Sequence, residues 1–374
     1  MKNNTFIPII YNNESSNFNA YELEHFLIWA VENDVSDITL QSDEMIFCEI
    51  HGKKHKVNNK RLNKSDMIGI ITKMHSDGAV STLSGGGEID YAYFVKKNKY
   101  VVYRYRINMK SISILGDKGF SLSIRVIKNI PPPIENLELP DEMLKAFKSK
   151  RGLIFVAGPT GSGKSTLLAS VLAWRLSEAD AHIKVSTYES PIEYTYEYLD
   201  TQTSSISQME IGINIEKFSD GVRNSLRTRS DLVLVGEARD YETISAAIDA
   251  GMTGPLVLST THANNCSEIV ARLINVFPAN ERIPRMIDLI TNLKMVVTQL
   301  LIPSIDGKRI AIKEYLIFNQ EIVDLLLEAD FDKITYTMRK IVKQYGKTFL
   351  EDLTEKYHNG LISQEVFEDY KQLV

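Results

Sequence analysis

The stretch GPTGSGKST, residues 158–166, constrains the fold of this chain more than any other part of its sequence. It fits the pattern G-x-x-x-x-G-K-[ST], whose glycines let the backbone curve around an anion with its N–H groups pointing inward. An apolar stretch typical of a buried strand, LIFVA, precedes it, and an apolar-periodic stretch typical of a helix, STLLASVLAWRL, follows it. A strand, a loop and a helix in this order predict a phosphate-binding loop in an α/β domain.

The residues at the C-terminal end of this loop indicate a role in nucleotide binding. We expect Lys164 to reach the β and γ phosphates and the Ser165 hydroxyl to help hold Mg²⁺, while the helix N-terminus adds a favourable partial positive charge. The ligands predicted from the motif are therefore ATP and Mg²⁺. The residues predicted to bind the nucleotide are Gly158, Pro159, Thr160, Gly161, Ser162, Gly163, Lys164, Ser165 and Thr166.

Two further apolar stretches end in acidic residues. DLVLVGEARD places Glu237 directly after a predicted strand, and IKVSTYESPIEY places Glu189 in the same way, with Glu193 four residues on. Open α/β sheets bind ligands at the carboxyl ends of their strands, where one acid can hold the metal shell and another can orient the attacking water. Glu189 and Glu237 are therefore predicted to be functional. Glu193 and Asp240 are equally compatible with solvated loop charges.

Two pairs of arginines could stabilise charge that develops on a phosphate. Arg223 and Arg227 lie four residues apart in FSDGVRNSLRTRSD, on a different helical face from Phe218, Val222 and Leu226, which are predicted to be buried. An arginine near the γ-phosphate accelerates hydrolysis by roughly 10³ to 10⁵. The alternative is a solvated basic face of the helix.

The second pair lies in the stretch YRYRIN. Arg104 and Arg106 point to one side of a predicted strand, and Tyr103 and Tyr105 point to the other. In a single subunit these arginines have no obvious role near the phosphates. They would act there only if another subunit lay alongside.

Composition and hydrophobic pattern limit the class of protein and indicate how the chain divides into domains. A net charge of −5 gives no global attraction to nucleic acid or anionic lipid, and Cys48 and Cys266 form no CxxC pair, so neither a zinc knuckle nor a disulfide framework is expected. No secretory signal and no apolar run of about 20 residues is present, so a cytoplasmic location is expected. The pattern divides into residues 1–128 (α+β), a proline-rich linker at 129–141, an α/β core at 142–318 and a helical region at 319–374.

Taken together, the motifs resemble those of the secretion-superfamily ATPases, the PilT-like hexameric motors. GPTGSGKST corresponds to the Walker A motif, YESPIEY to the Asp box, LRTRSDLVLVGEARD to the Walker B motif and TTHANN to the His box, while SDITL and YRYRIN resemble N-domain motifs. The resemblance implies an N-terminal PAS-like α+β domain followed by a RecA-like P-loop ATPase domain with a helical C-terminal part. It also implies a homohexamer beneath an inner-membrane secretion machine, held there by partner proteins.

The resemblance also implies roles for individual residues. By matched position, Glu189 would be the catalytic carboxylate, and Glu237 would be the Mg²⁺-side acid that acts through water. His262 would be the His-box histidine, while Arg104 and Arg106 would reach the nucleotide of the neighbouring subunit.

This chain departs from the usual family pattern at several points. Ser190 stands where the Asp box usually has Asp, Ala238 stands where pilus retraction motors often have Met, and the PilT-typical AIRNLI segment and the four-cysteine zinc insertion of assembly ATPases are absent. The pattern is closer to the type IVB secretion ATPases of the DotB and TraJ kind. A type IVB secretion or conjugation motor is therefore predicted, with a pilus retraction ATPase as the first alternative.

Two other functions remain as alternatives. A nucleic-acid translocase would share the RecA-like core, but the acidic net charge and the lack of a clustered aromatic-basic stretch argue against stable nucleic-acid binding. A catalytically weak scaffold is disfavoured by the intact Lys164, Glu189 and Glu237. Direct membrane insertion is not expected.

The histidine in STTHANN, His262, could ligate a metal, act as a base, sense the γ-phosphate or fill space at the sheet edge. The sequence places no other histidine or cysteine in a ligand set with it, and the motif order favours Glu189 as the base. Its position after a predicted strand, beside Thr260, Thr261 and Asn264, favours a sensor that hydrogen-bonds near the γ-phosphate. A purely structural histidine is the alternative.

Overall fold

The computed structural model describes residues 11, 18–50, 52–98, 101–127 and 130–373. The chain divides into two compact units, an N-terminal unit of residues 1–129 and a C-terminal unit of residues 130–374. Each unit has a hydrophobic core of its own.

The described part of the N-terminal unit is a six-stranded antiparallel sheet with three helices. Its elements are α1 (Leu23–Glu32), β1 (Val35–Gln41), β2 (Phe47–Ile50), β3 (Lys53–Lys56), α2 (Lys64–Met74), α3 (Asp77–Ser84), β4 (Glu88–Lys96), β5 (Val102–Ile114) and β6 (Asp117–Ile127). The strand order is β3-β2-β1-β6-β5-β4. Along β5, Tyr105, Ile107 and Met109 are buried, and the Tyr105 hydroxyl donates to the Leu27 carbonyl of α1, which fixes that helix on the sheet.

The C-terminal unit is built on a seven-stranded sheet. Its helices and strands are α4 (Asp141–Phe147), β7 (Gly152–Ala157), α5 (Lys164–Ser177), β8 (Lys184–Glu189), β9 (Ser205–Glu210), α6 (Phe218–Arg227), β10 (Leu232–Val235), α7 (Tyr241–Thr253), β11 (Leu256–Thr261), α8 (Cys266–Ile274), α9 (Arg282–Asn292), β12 (Leu293–Pro303), β13 (Arg309–Ile317), α10 (Gln320–Leu327), α11 (Ile334–Tyr345), α12 (Phe349–His358) and α13 (Gln364–Lys371). The strand order is β13-β12-β7-β11-β10-β8-β9, parallel except for β13.

Helices cover both faces of this sheet, which explains why its strands are continuous apolar runs. In β7, Leu153, Phe155 and Ala157 share a core with α6 to α11, whereas Ile154 and Val156 share a core with α4 and α5. Every residue of β7, β10 and β11 is buried as a result.

The register of the parallel strands brings their carboxyl ends to one edge. Ala157 at the end of β7 pairs with Thr261 at the end of β11. Val235 at the end of β10 pairs with Ser259 on one side and with Tyr188 on the other. The loops that follow β7, β8, β10 and β11 therefore leave the sheet together, and the phosphate-binding loop, Glu189, Glu237 and His262 lie in or next to them.

The proline-containing segment packs onto the C-terminal unit. Ser170 of α5 donates to the Pro132 carbonyl at 2.7 Å, and residues Ile134–Leu137 form a short 3₁₀ helix. The predicted division of the chain into 129–141, 142–318 and 319–374 remains a prediction. No helix in the described ranges is long and apolar enough to span a membrane.

The predicted buried face of α6 is only partly correct. Val222 is buried, but Leu226 is 39% exposed, and the helix packs through Ser219, Gly221 and Ser225 instead. A Cβ on Gly221 would lie 2.3 Å from the Tyr188 ring of β8. The helix approaches the sheet so closely that small residues, which the apolar periodicity does not mark, form its contact face.

Candidate functional site

The loop between β7 and α5 is braced by β12. Gly158 and Gly163 have φ angles of 138° and 87°, and a Cβ on Gly158 would lie 2.3 Å from the Gln299 carbonyl oxygen. The Gln299 side chain donates to the Ser162 carbonyl at 2.6 Å. Glycine is therefore required at 158 both by conformation and by the closeness of β12.

The tip of this loop faces open space. Gly161 has a φ of 77°, and apart from its two chain neighbours no described residue has an atom within 4 Å of where its Cβ would be. Pro159 and Thr160 are exposed, whereas Ser165 and Thr166 in the first turn of α5 are half-buried. The open space beside the N-terminus of α5 is suited to an anion.

Lys164 lies back over the loop from which it projects. Its Nζ donates to the carbonyl oxygens of Gly158 at 2.8 Å and Pro159 at 2.9 Å. Burial lowers the pKa of the Lys164 ammonium below its usual value, and the charges of Glu237 and Glu193 oppose that shift. The acids after β10 and β8 are thus close enough to Lys164 to interact with its charge.

Glu189, the last residue of β8, is a buried acid. It is 9% exposed, and its Oε1 accepts hydrogen bonds from Thr187 Oγ1 at 2.6 Å and Gln208 Nε2 at 3.3 Å. Burial raises its pKa to about 7, although both hydrogen bonds favour the ionised form. A carboxyl with a pKa in this range is suited to accept a proton near neutral pH.

Glu237 and His262 face each other at the ends of β10 and β11. The Glu237 Oε1 and the His262 Nε2 are 3.4 Å apart, and the two side chains are 33% and 44% exposed, so solvent or a ligand can reach them. The backbone beneath them is locked, because Thr260 Oγ1 donates to the Gly236 carbonyl at 2.5 Å. A Cβ on Gly236 would be 3.3 Å from the Glu189 Cα, so the two acidic strand ends pass close to each other.

The predicted arginines belong to other elements, α6 and β5. Arg223 and Arg227 are exposed on α6, which packs on the sheet face opposite α5, and Arg223 lies 3.6 Å from Asp220 of its own helix. Arg104 and Arg106 belong to the N-terminal unit: Arg106 forms two hydrogen bonds with Asp90, and Arg104 lies 5.1 Å from the centre of the Phe94 ring.

The two remaining acids have different surroundings. Asp240 caps α7, because its side chain accepts from the Thr243 N–H at 2.8 Å. Glu193 is exposed in the loop after β8, and its charge acts on Lys164 and Glu189.

Three polar residues of this site are not predicted from the sequence. Gln299 braces the loop, Gln208 contacts Glu189, and the Tyr194 hydroxyl lies 2.9 Å from Thr166 Oγ1. The one available signal was the position of Gln299 and Gln208, each a polar residue within a strand. No sequence pattern showed what either glutamine would face.

The oxygens at this edge fit a magnesium ion. Ser165 offers a hydroxyl and Glu237 a half-exposed carboxylate, and oxygen ligands of this kind, completed by water and phosphate, are what Mg²⁺ prefers. Among the described residues, no three His, Cys, Asp or Glu side chains come together as a metal-binding group. A metal at this edge would therefore take most of its ligands from water and nucleotide.

A glycine loop between a buried strand and a helix, with carboxylates at the same sheet edge, defines a P-loop nucleoside-triphosphate-binding protein. The family model described as "Type II/IV secretion system protein" matches residues 114–363. The chain belongs to this family and is an ATPase of the secretion and pilus motor type.

Individual known proteins are similar to this chain over most of its length. The crystal structure of the Legionella pneumophila ATPase DotB is 36% identical, with a TM-score of 0.91 over 98% of this chain and 100% of that one. The Pseudomonas aeruginosa pilus ATPase PilT is 30% identical over 92% of this chain and 96% of its own length. The Escherichia coli K12 protein YggR is 32% identical over 85% of this chain and 92% of its own. The predicted family is confirmed, as is the fold class of an N-terminal α+β domain followed by a RecA-like ATPase domain.

Proposed function

We propose that this protein is a hexameric motor that hydrolyses ATP to drive a type IVB secretion or conjugation apparatus at the inner membrane. The observation that supports this best is the similarity to the ATPase DotB, which spans 98% of the chain at a TM-score of 0.91. Pilus retraction is the second candidate, because PilT is 30% identical over 92% of the chain. The missing AIRNLI segment favours the first.

ATP is proposed to bind with its phosphates in the 158–166 loop. The open space at Gly161 and the N–H groups of the first turn of α5 can accept the β and γ phosphates. Lys164 would exchange its two carbonyl contacts for phosphate oxygens. That exchange is favourable because a charged acceptor replaces neutral ones.

Ser165 and Glu237 are proposed to be the residues that would hold Mg²⁺, the carboxylate acting through water. When bound, it supplies positive charge that offsets the charge of the triphosphate. The chain's part is to hold the hydroxyl and the carboxylate at the same sheet edge.

Glu189 is proposed to accept the proton of the attacking water. Its pKa of about 7 leaves it ionised in a large share of molecules at neutral pH, yet basic enough to take up a proton. His262 is proposed as the sensor of the γ-phosphate, because it lies 3.4 Å from Glu237 and is exposed at the same edge.

The arginines are proposed to act at the active sites of a hexamer. Arg104 and Arg106 would reach the nucleotide of the neighbouring subunit, and Arg106 would have to leave Asp90 to do so. Arg223 and Arg227, exposed on α6, would contribute charge on their own subunit's side. The motor is proposed to work on the cytoplasmic side and to reach the membrane through partner proteins.

Deletion of the gene in the organism that encodes it tests this proposal. We expect loss of substrate transfer into recipient cells and unchanged twitching. Transfer should be restored by the wild-type gene and by Lys150→Ala, an exposed lysine outside the site, but not by Lys164→Ala. Loss of twitching with intact transfer would replace the proposal by pilus retraction.

A further inference from the structure

The loop that follows Glu189 is held by three hydrogen bonds, one to α5 and two to β9. Tyr194 meets the first turn of α5, where its hydroxyl lies 2.9 Å from Thr166 Oγ1. The Ile192 N–H donates to Glu210 Oε2 at 3.3 Å. The Tyr194 carbonyl accepts from Gln208 Nε2 at 2.9 Å. Residues 190–196 are thereby held between the phosphate-binding loop and β9.

Gln208 is the contact that also reaches the buried acid. Its side-chain NH₂ donates both to the Tyr194 carbonyl and to Glu189 Oε1 at 3.3 Å, which two amide hydrogens allow. The parallel register of β8 and β9 pairs Thr187 with Gln208. Since side chains two residues apart lie on the same face of a strand, Glu189 lies on the same face as Thr187 and within reach of Gln208.

Two donors on one oxygen fix the direction of the carboxylate. Thr187 Oγ1 and Gln208 Nε2 both bind Oε1, so rotation of the carboxylate about its terminal bond is restricted and Oε2 has a defined direction. Gln208 is half-buried, so water competes for these hydrogen bonds less than it would at an exposed position.

We propose that Gln208 is a positioning residue for ATP hydrolysis, which holds the Glu189 carboxylate and the 190–196 loop in one arrangement against the phosphate-binding loop. The inference rests on the proposed role of Glu189 as the proton acceptor. Gln208 acts on hydrolysis through Glu189, and its hydrogen bond to the Tyr194 carbonyl holds the loop beside that carboxylate.

The test compares Gln208→Met, Glu189→Gln and the double variant, with Gln344→Met as control. Methionine keeps the length of the side chain and removes the amide. Gln344 serves as the control because it is an exposed glutamine on α11, far from Gln208 in the sequence. We expect Gln208→Met to lower kcat roughly 10-fold, as loss of an orienting partner commonly does. The affinity for ATP and the melting temperature should stay within error of the Gln344→Met control.

The double variant separates positioning from general structural support. Because Gln208 acts through Glu189, Gln208→Met should cause no further loss of kcat in a Glu189→Gln background. An unchanged kcat in Gln208→Met would overturn the Gln208 inference and leave the proposed role of Glu189 standing. An equal loss of kcat in the wild-type and Glu189→Gln backgrounds would have the same consequence. If Glu189→Gln hydrolysed ATP at the wild-type rate, the proposed role of Glu189 would fail, and the Gln208 inference with it.

Discussion

Replacement of Glu189 by glutamine should lower the rate of ATP hydrolysis and stabilise the protein at the same time. Glutamine has the shape of the carboxyl group, and its carbonyl oxygen can still accept from Thr187 and Gln208, but it does not ionise. In the wild type, Glu189 must ionise while 9% exposed, and burial raises its pKa from 4.5 to about 7. The cost of that ionisation is absent in the variant.

The size of the effect follows from the two pKa values. A folded pKa above the unfolded one means that this group's contribution to stability is complete below pH 4.5 and is lost as the pH rises through 7. At about 1.4 kcal/mol per pKa unit, Glu189→Gln should therefore raise the free energy of unfolding by about 3 kcal/mol at pH 8 and by less than about 1 kcal/mol at pH 5.

Urea unfolding of nucleotide-free protein at pH 5 and pH 8 measures this difference, and ATP hydrolysis is followed in the same preparations. Glu197→Gln, an exposed acid in the same loop region, is the matched control and should change little at either pH. Two results would contradict this expectation. One is a difference in the free energy of unfolding between Glu189→Gln and the wild type that is the same at pH 5 and pH 8. The other is a variant that is less stable than the wild type at pH 8.

Four further substitutions test the geometry of the site and the packing of α6. His262→Ala should keep ATP affinity while lowering kcat roughly 10-fold or more, because a group that orients reacting partners is lost; isothermal titration with steady-state kinetics would show a loss of binding if this is wrong. Gly158→Ala should abolish nucleotide binding, because its Cβ would lie 2.3 Å from the Gln299 backbone. Gly161→Ala places its methyl group in open space, so it should cost only about 1 kcal/mol of stability, through its φ of 77°. Gly221→Ala should destabilise the protein by about 1–2 kcal/mol, measured by urea unfolding, because the methyl group would overlap the ring beneath α6.

The sequence was sufficient to predict that the phosphate-binding loop, Glu189 and Glu237 lie at one edge of the sheet. The strand, glycine loop and helix around Lys164 are local features, so their pattern is visible without tertiary contacts. Glu189 and Glu237 could be placed together because the carboxyl ends of parallel strands meet at one edge, a rule that needs only the strand assignment.

The residues that were missed depend on contacts between distant segments. Gln299 donates to Ser162 across 137 residues of chain, and Gln208 reaches Glu189 through the pairing of two strands. Neither contact leaves a periodic signal. For the same reason, Leu226 was predicted to be buried although α6 packs through small residues against the sheet.

The rate of ATP hydrolysis per subunit, measured against protein concentration with the molar mass determined in parallel, tests whether this protein works as a hexameric ATPase. We expect a rate that rises as hexamers form, and no hydrolysis by Lys164→Ala at any concentration. A full rate from the monomer, or hydrolysis that survives Lys164→Ala, would contradict it.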